Sequence, residues 1–235
     1  MNTFEIGNYV FPIISGEYQK DHSIKVGGFV GTGFFINSRG VFATCKHVAK
    51  SLENGQNLFL GQLSGPSAGS YLAITRVQCH PIYDLAWGVV VTKTNTNFLT
   101  PFQGSCALGL DVGAFGFTNA GKQNQSLCLE PRYLRGHISR MSESPYEFPA
   151  KSLCEVSFPS PSGFSGTALL SDSYELVGML YGNAESKIQA YSITEVSEGN
   201  STFTENAYRV MEFGLAHQVT DLVSIFKKEN IPIFE

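Results

Sequence analysis

The sequence predicts an all-β protein: two six-stranded antiparallel β-barrels side by side, closed by a C-terminal α-helix. Three observations carry that expectation. Short β-rich runs recur along the chain, clusters of Gly, Asn, Ser and Pro separate them, and helical periodicity is confined to the C-terminal region and one short turn. Composition agrees: 24 glycines and 18 phenylalanines among 235 residues, with Val, Ile, Thr and Tyr dispersed, suit strands joined by tight turns. Hydrophobic residues make up 43% and charged residues only 15%, so the chain can bury a core and does not read as disordered.

The first set of strand-like runs is Tyr9 to Ile14, Ile24 to Ile36, Val41 to Thr44, Asn57 to Leu60, Leu72 to Cys79 and Asp84 to Val91. Thr92 to Ser105, rich in Thr and Asn and containing Pro101, lacks apolar periodicity and reads as the connection between halves. That places an N-terminal barrel at residues 1–105 and a C-terminal barrel with the closing helix at residues 106–235. The second set is Asp111 to Thr118, Ser126 to Ser139, Leu153 to Phe158, Gly166 to Leu170, Leu176 to Tyr181 and Ile188 to Thr194. Val196 to Asn206, built of small polar residues, reads as an exposed loop. A helix is expected from about Ala216 to Glu229, where Leu222, Val223, Ile225 and Phe226 form an apolar stripe. Trp87, in an apolar run, is expected in the core.

A net charge of -4, with no basic run longer than Lys227-Lys228, leaves no electrostatic footprint for nucleic acid or anionic lipid. The longest apolar stretches fall short of the ~20 residues that cross a bilayer, and the first residues lack the charged and apolar regions of a signal peptide. Neither a nucleic-acid nor a membrane partner is expected. Five widely spaced cysteines without a Cys-x-x-Cys pair indicate neither a disulfide framework nor a zinc site, so no metal or cofactor is expected. The expected location is the cytoplasm or another reduced intracellular compartment.

Chemistry concentrates in three segments. Pro159-Ser160-Pro161-Ser162-Gly163-Phe164-Ser165-Gly166-Thr167 is a turn-forming run leading into an apolar strand. It can set Ser165 at a tight turn, with the amides of Gly163 and Ser165 aimed at one spot as an oxyanion hole. Such a run by itself is usually an ordinary loop. A serine hydroxyl is a weak nucleophile and needs a base, itself oriented by an acid. His47 lies where a β-rich run (Phe42-Ala43-Thr44-Cys45) gives way to a helical turn, and Asp84 immediately precedes the apolar run Leu85 to Val90. His137 and Asp111 are alternatives for these two roles, in poorer contexts. Cys79-His80 lacks the partners of a metal site, and His217 is expected to cap or pack near the closing helix.

Taken in order, Thr44-Cys45-Lys46-His47, Asp84-Leu85-Ala86 and Gly163-Phe164-Ser165-Gly166 resemble the His, Asp and Ser motifs of the trypsin-like serine peptidases (chymotrypsin fold, clan PA), across about residues 24 to 228. Gly31-Thr32-Gly33-Phe34-Phe35-Ile36 is similar to a strand of that family. Phe213-Gly214-Leu215-Ala216 followed by a helix is closest to the HtrA-like branch. The resemblance implies Ser165 as nucleophile, His47 as general base and acid, Asp84 as the group that orients the imidazole, and an oxyanion hole from the Gly163 and Ser165 amides. It implies a protein or peptide substrate bound by Pro159, Leu180, Tyr181 and Gly182, the last three pairing substrate backbone as an added strand.

Departures narrow this picture. Phe164 stands where secreted digestive members carry an activation aspartate, so that switch has no counterpart here. Pro159 offers no charge to an Arg or Lys side chain, which disfavours trypsin-like specificity and points to an apolar or small residue before the cut. Phe164 leaning into the cleft would leave a latent site. A non-catalytic peptide-binding scaffold, or an esterase using the same groups, are the competing readings.

Overall fold

The structure, a computed structural model, describes residues 6–21, 23–51, 57–63, 69–123, 126–142, 150–196 and 202–235. Twelve strands form two closed six-stranded antiparallel sheets. The first contains β1 (Val10–Tyr18), β2 (Ile24–Phe35), β3 (Val41–Thr44), β4 (Asn57–Leu63), β5 (Gly69–Cys79) and β6 (Ala86–Val90), in the order β1-β2-β3-β6-β5-β4. The second contains β7 (Asp111–Gln123), β8 (Ser126–Ser142), β9 (Leu153–Val156), β10 (Ala168–Leu170), β11 (Leu176–Val196) and β12 (Thr202–Gln218), in the order β10-β11-β12-β9-β8-β7.

The shortest strands are the most apolar because they are covered on both faces. All four residues of β3 (Val-Phe-Ala-Thr) are buried, as are all three of β10 (Ala-Leu-Leu). Such runs cannot alternate, since neither face meets water. Phe11, Phe34, Phe42 and Leu60 belong to the first barrel's core, Phe42 edge-on to Phe11 at 5.6 Å between ring centroids. Val112, Ile138, Val156, Phe164 and Leu169 fill the second. Trp87 is buried as expected, with Nε1–H donating to Gln78 Oε1 at 3.0 Å.

The connection after β6 carries no strand, yet it joins the barrels. The amide of Leu99 donates to Phe35 O in the first, and Thr100 O and the Phe102 amide bond to Leu176 in the second. Helix α1 is the single turn Lys46–Ala49, and α2 is Val219–Lys228. The stripe of α2 buries Leu222, Ile225 and Phe226, and Phe226 meets Trp87 edge-on at 6.0 Å. The chain that follows clasps the first barrel: the Phe234 amide donates to Ile36 O and Asn37 Nδ2 to Pro232 O.

Two expectations are corrected. Leu176 to Tyr181 and Ile188 to Thr194 are not separate strands but parts of one 21-residue strand, β11. The sixth strand is β12, which begins at Thr202 inside the stretch expected to be a loop and runs through Ala216 and His217, so α2 starts only at Val219. Cross-strand partners explain both differences. The stretch Val196 to Asn206 is rich in Glu, Gly and Asn, which disfavour strands, yet Thr202 to Asn206 pair residue by residue with Ser192 to Val196, and Ala216 is held between Leu180 on β11 and Cys154 on β9.

Candidate active site

His47 sits in α1, immediately beyond the end of β3. Cys45 is extended (ψ 148°), which turns the chain so that the His47 ring leaves the barrel wall. Asp84 comes from the turn between β5 and β6. His80 organises that turn: its Nδ1 accepts the amides of Ile82 (3.2 Å) and Tyr83 (3.0 Å), its ring stacks on Tyr83, and its own amide donates to Leu85 O. Lys46 Nζ reinforces the turn through the carbonyls of His80 and Pro81.

The Asp84 carboxylate brackets His47. Its Oδ1 accepts the His47 backbone amide at 2.9 Å and its Oδ2 lies 2.6 Å from His47 Nδ1. The Asp84 side chain is 14% exposed and that of His47 50%, so the carboxylate is largely withdrawn from water while the imidazole stays open to it. Burial pushes the Asp84 carboxyl up, but the hydrogen bonds from the His47 ring and amide, with the nearby histidine charge, outweigh it and leave the group below its ordinary value. An ionised carboxylate can only accept, so Nδ1 carries the proton and Nε2 presents its lone pair.

The Ser165 loop is shaped by two left-handed glycines, Gly163 (φ +97°) and Gly166 (φ +86°). Neither tolerates a side chain. A Cβ on Gly163 would overlap Phe29 and the Phe117 carbonyl, and one on Gly166 would overlap Thr32 O and Thr44 Oγ1. Within the loop the Phe164 amide donates to Pro161 O and that of Thr167 to Phe164 O, both at 2.9 Å. The amides of Gly163 and Ser165 have no acceptor among the described residues. Phe164 is fully buried in the second barrel's core, so it does not lean into the cleft.

Both segments dock on the same few atoms. The Thr32 amide donates to Ser165 O (2.9 Å), Thr32 Oγ1 donates to Gly163 O (2.7 Å), and Thr44 Oγ1 donates to Thr32 O (2.7 Å). Leu180 O accepts the Gly166 amide and Cys45 Sγ, tying the residue after Ser165 to a residue two before His47. Gly31 is flanked by Val48 and by Ser165 O, at 2.6 and 3.1 Å from where its Cβ would be. His47 and Ser165 are thus held at the junction of the two barrels. Ser165 Oγ itself forms no hydrogen bond among the described residues.

The expected substrate residues divide. Pro159 is exposed on the approach to the loop. Leu180 has no backbone group to offer a peptide, because its amide donates to Thr167 O and its carbonyl is doubly occupied. The Tyr181 hydroxyl is buried without a partner, and burial together with the Asp84 charge holds it well above the usual phenol value. Nothing lies within 4 Å of where a Gly182 Cβ would stand, and Asn183 beside it clamps both backbone groups of Ser160. Asp111 and His137 face each other across β7 and β8, in the second barrel, whereas His47 and Asp84 are carried by the first.

His217, one residue before the N-cap of α2, has a role that sequence reasoning missed. It is fully buried in β12, its Nε2–H donates to Asp84 O at 3.1 Å, and its ring lies 4.7 Å from that of Tyr181. It therefore supports the backbone of Asp84 from the second barrel, a relation across 133 positions that nothing local signals. Its Nδ1 is buried and unpartnered, and burial lowers its proton affinity below the ordinary histidine value. Below about pH 6.5 the unfolded chain takes up a proton that folded His217 refuses, so stability should fall with pH through that window and be flat above it. His80, also held low by burial, contributes in the same direction. Melting temperatures from pH 8 to 5 should show this decline, shallower in His217→Gln; an equal decline in both would refute it.

Cys45 Sγ, His47 and Asp84 place ligand atoms within 4.8 Å of one another. Each is otherwise engaged: the Cys45 thiol, its pKa raised by burial, donates to Leu180 O, and Asp84 is bonded to His47.

Residues 31–179 match the profile of the trypsin-like peptidase domain, and the chain belongs to that family. No protein of curated function matches the sequence significantly. The fold is similar to the active form of the Rv3671c protease from M. tuberculosis (15% identity, TM-score 0.60, 97% of this chain and 83% of that one). It is similar also to the MamO protease domain from Magnetospirillum magneticum (15%, 0.59, 94% and 96%). The HtrA-type protease AlgW, with a decapeptide, aligns at 13% identity and TM-score 0.62 over 96% of this chain and 65% of that one.

Proposed function

We propose that the protein is a serine endopeptidase that cleaves protein or peptide substrates through Ser165, His47 and Asp84. The observation that carries this reading is the Asp84 carboxylate gripping both Nδ1 and the amide of His47, at the same barrel junction on which the Ser165 loop docks. With its proton fixed on Nδ1, His47 takes the Ser165 hydroxyl proton on Nε2 as Oγ attacks the scissile carbonyl. The developing oxyanion is met by the amides of Gly163 and Ser165. The same proton then passes to the leaving amine, leaving an acyl-Ser165 that water hydrolyses with His47 again as base. Catalytic hydrogen bonds commonly tighten only in the substrate complex, which accommodates the unbonded Ser165 Oγ.

Substrate enters as a strand along β11 beyond Leu180, starting at Tyr181 and Gly182, with the pocket near Pro159 accepting an apolar or small side chain. A fluorophosphonate probe tests the site directly. It should label the wild type at Ser165, and Ser165→Ala should abolish labelling while His47→Ala lowers its rate roughly 10⁴-fold. A folded wild-type protein that never labels and cleaves no peptide library would make it a scaffold.

A further inference from the structure

The hairpin of β11 and β12 leaves the second barrel as a two-stranded ribbon. Among the described residues, β11 has no strand on its outer edge beyond Met179, and β12 none outward of Gly214. Isolated two-stranded ribbons are marginal in water, so a ribbon with an uncovered apolar face calls for a cover.

The register shows which face that is. Directly opposed residues share a face, and the irregularity between Gln189 and Tyr191 leaves Ala190 unpaired. One face carries Ser186 opposite Met211, Ile188 opposite Arg209, Tyr191 opposite Ala207, and Ile193 opposite Glu205. Ile188, Tyr191, Ile193 and Met211 are 52%, 55%, 49% and 43% exposed. The other face includes Tyr208 and Val210, but its polar groups engage one another: Gln189 with Asn206, Thr194 with Thr204, Lys187 with Glu185. On the apolar face Arg209 and Glu205 have no ionic partner among the described residues.

These two charges lie two positions either side of Ala207 on one strand. We propose that this face is the interface of a symmetric dimer, covered by the same face of a second copy about a two-fold axis lying across the strands at Ala207. That axis sets each Arg209 over the partner's Glu205 and each Ile188 over the partner's Ile193. At the axis each Tyr191 meets the partner's Tyr191, and the small Ala207 beside it leaves room for the two rings to offset. Attraction, apolar contact and shape are satisfied by one operation, as an isologous interface requires. A membrane would gain nothing from the alternating charges. The covered strip is about 10 Å wide and about 30 Å long, below the size of tight interfaces, so the dimer is a weak, readily dissociating one.

Sedimentation of the full chain over about 1 to 200 µM should show reversible monomer–dimer exchange. Arg209→Glu and Glu205→Arg should each weaken it at least tenfold, and the double reversal should return it to near the wild-type value. Ile188→Glu should abolish it. All these positions lie outside the barrels, and an unchanged melting temperature verifies folding. A chain monomeric throughout, a double reversal no better than either single one, or a dimer indifferent to Ile188→Glu would overturn the proposal. Ile188-dependent binding of the monomer to phosphatidylglycerol vesicles would overturn it in favour of a lipid surface.

Discussion

Replacing Asp84 with asparagine is expected to lower kcat for peptide hydrolysis about 10⁴-fold without unfolding the protein. The reason lies in the two contacts of one carboxylate. Oδ1 accepts the His47 backbone amide, and an asparagine retains that bond only by placing its own oxygen there. Its NH₂ group then faces His47 Nδ1, where Oδ2 stood at 2.6 Å. Two donors cannot share a hydrogen bond, so the imidazole moves its proton to Nε2 and presents a lone pair at Nδ1. The ring keeps its position but no longer accepts the Ser165 proton. Loss of the negative charge also removes what stabilises the imidazolium. Melting temperature and peptide-library turnover of Asp84→Asn, measured side by side, test the point. Turnover within tenfold of wild type, in a folded variant, would mean that Asp84 is not what orients the base.

The second large effect is structural. Gly166→Ala should destabilise the protein by about 3 kcal/mol or more, a fall of about 6 to 12 °C in Tm for a chain of this size, and should silence Ser165. Gly166 combines a φ of +86° with contact against the Thr32 carbonyl and Thr44 Oγ1, and its amide donates to Leu180 O. The Thr32 carbonyl is backbone, and the Thr44 hydroxyl is buried and tied to that same carbonyl, so neither can swing aside. A methyl group is accommodated only by parting the Ser165 loop from β2, which breaks the bond between the Thr32 amide and Ser165 O. Gly109→Ala is the control: its φ is +81°, yet nothing lies within 4 Å of the added carbon. The difference between the two variants isolates the contact from the backbone strain. Equal losses would show that φ alone matters at Gly166.

These effects share an origin. His47 is half-exposed and Ser165 partly so, whereas Asp84 is largely covered and the atoms holding all three come from both barrels. Thr32 from the first meets Gly163 and Ser165 from the second, Cys45 meets Leu180, and His217 reaches back to the carbonyl of Asp84. Catalytic geometry requires that kind of rigid support, because a displacement of about 1 Å at the reacting atoms lowers rate about a hundredfold.

Much of this was legible in the chain itself. The motifs around His47, Asp84 and Ser165 carry local information: a β-rich run ending in a polar turn, an acid ahead of an apolar strand, glycines bracketing a serine. The apolar runs of β3, β6 and β10 announced strands because burial on both faces leaves an uninterrupted hydrophobic signature. Local signals also placed Phe226 and its neighbours on a closing helix.

Other features depended on partners distant in sequence. The extent of β11 and the whole of β12 followed from their mutual pairing, since a solvated ribbon has no core-facing pattern to mark it. Whether Phe164 enters the cleft or the core turned on the space beside Gly116, and the backbone of Leu180 was claimed by Thr167, Gly166 and Cys45 before any substrate could use it. His217 became the support of Asp84 only when the second barrel was laid against the first. Short-range order is written in neighbouring residues because propensity, turn chemistry and burial period act within a few positions. Which buried donor finds which acceptor is settled by packing, where leaving a polar group unpaired costs more than a typical hydrogen bond contributes.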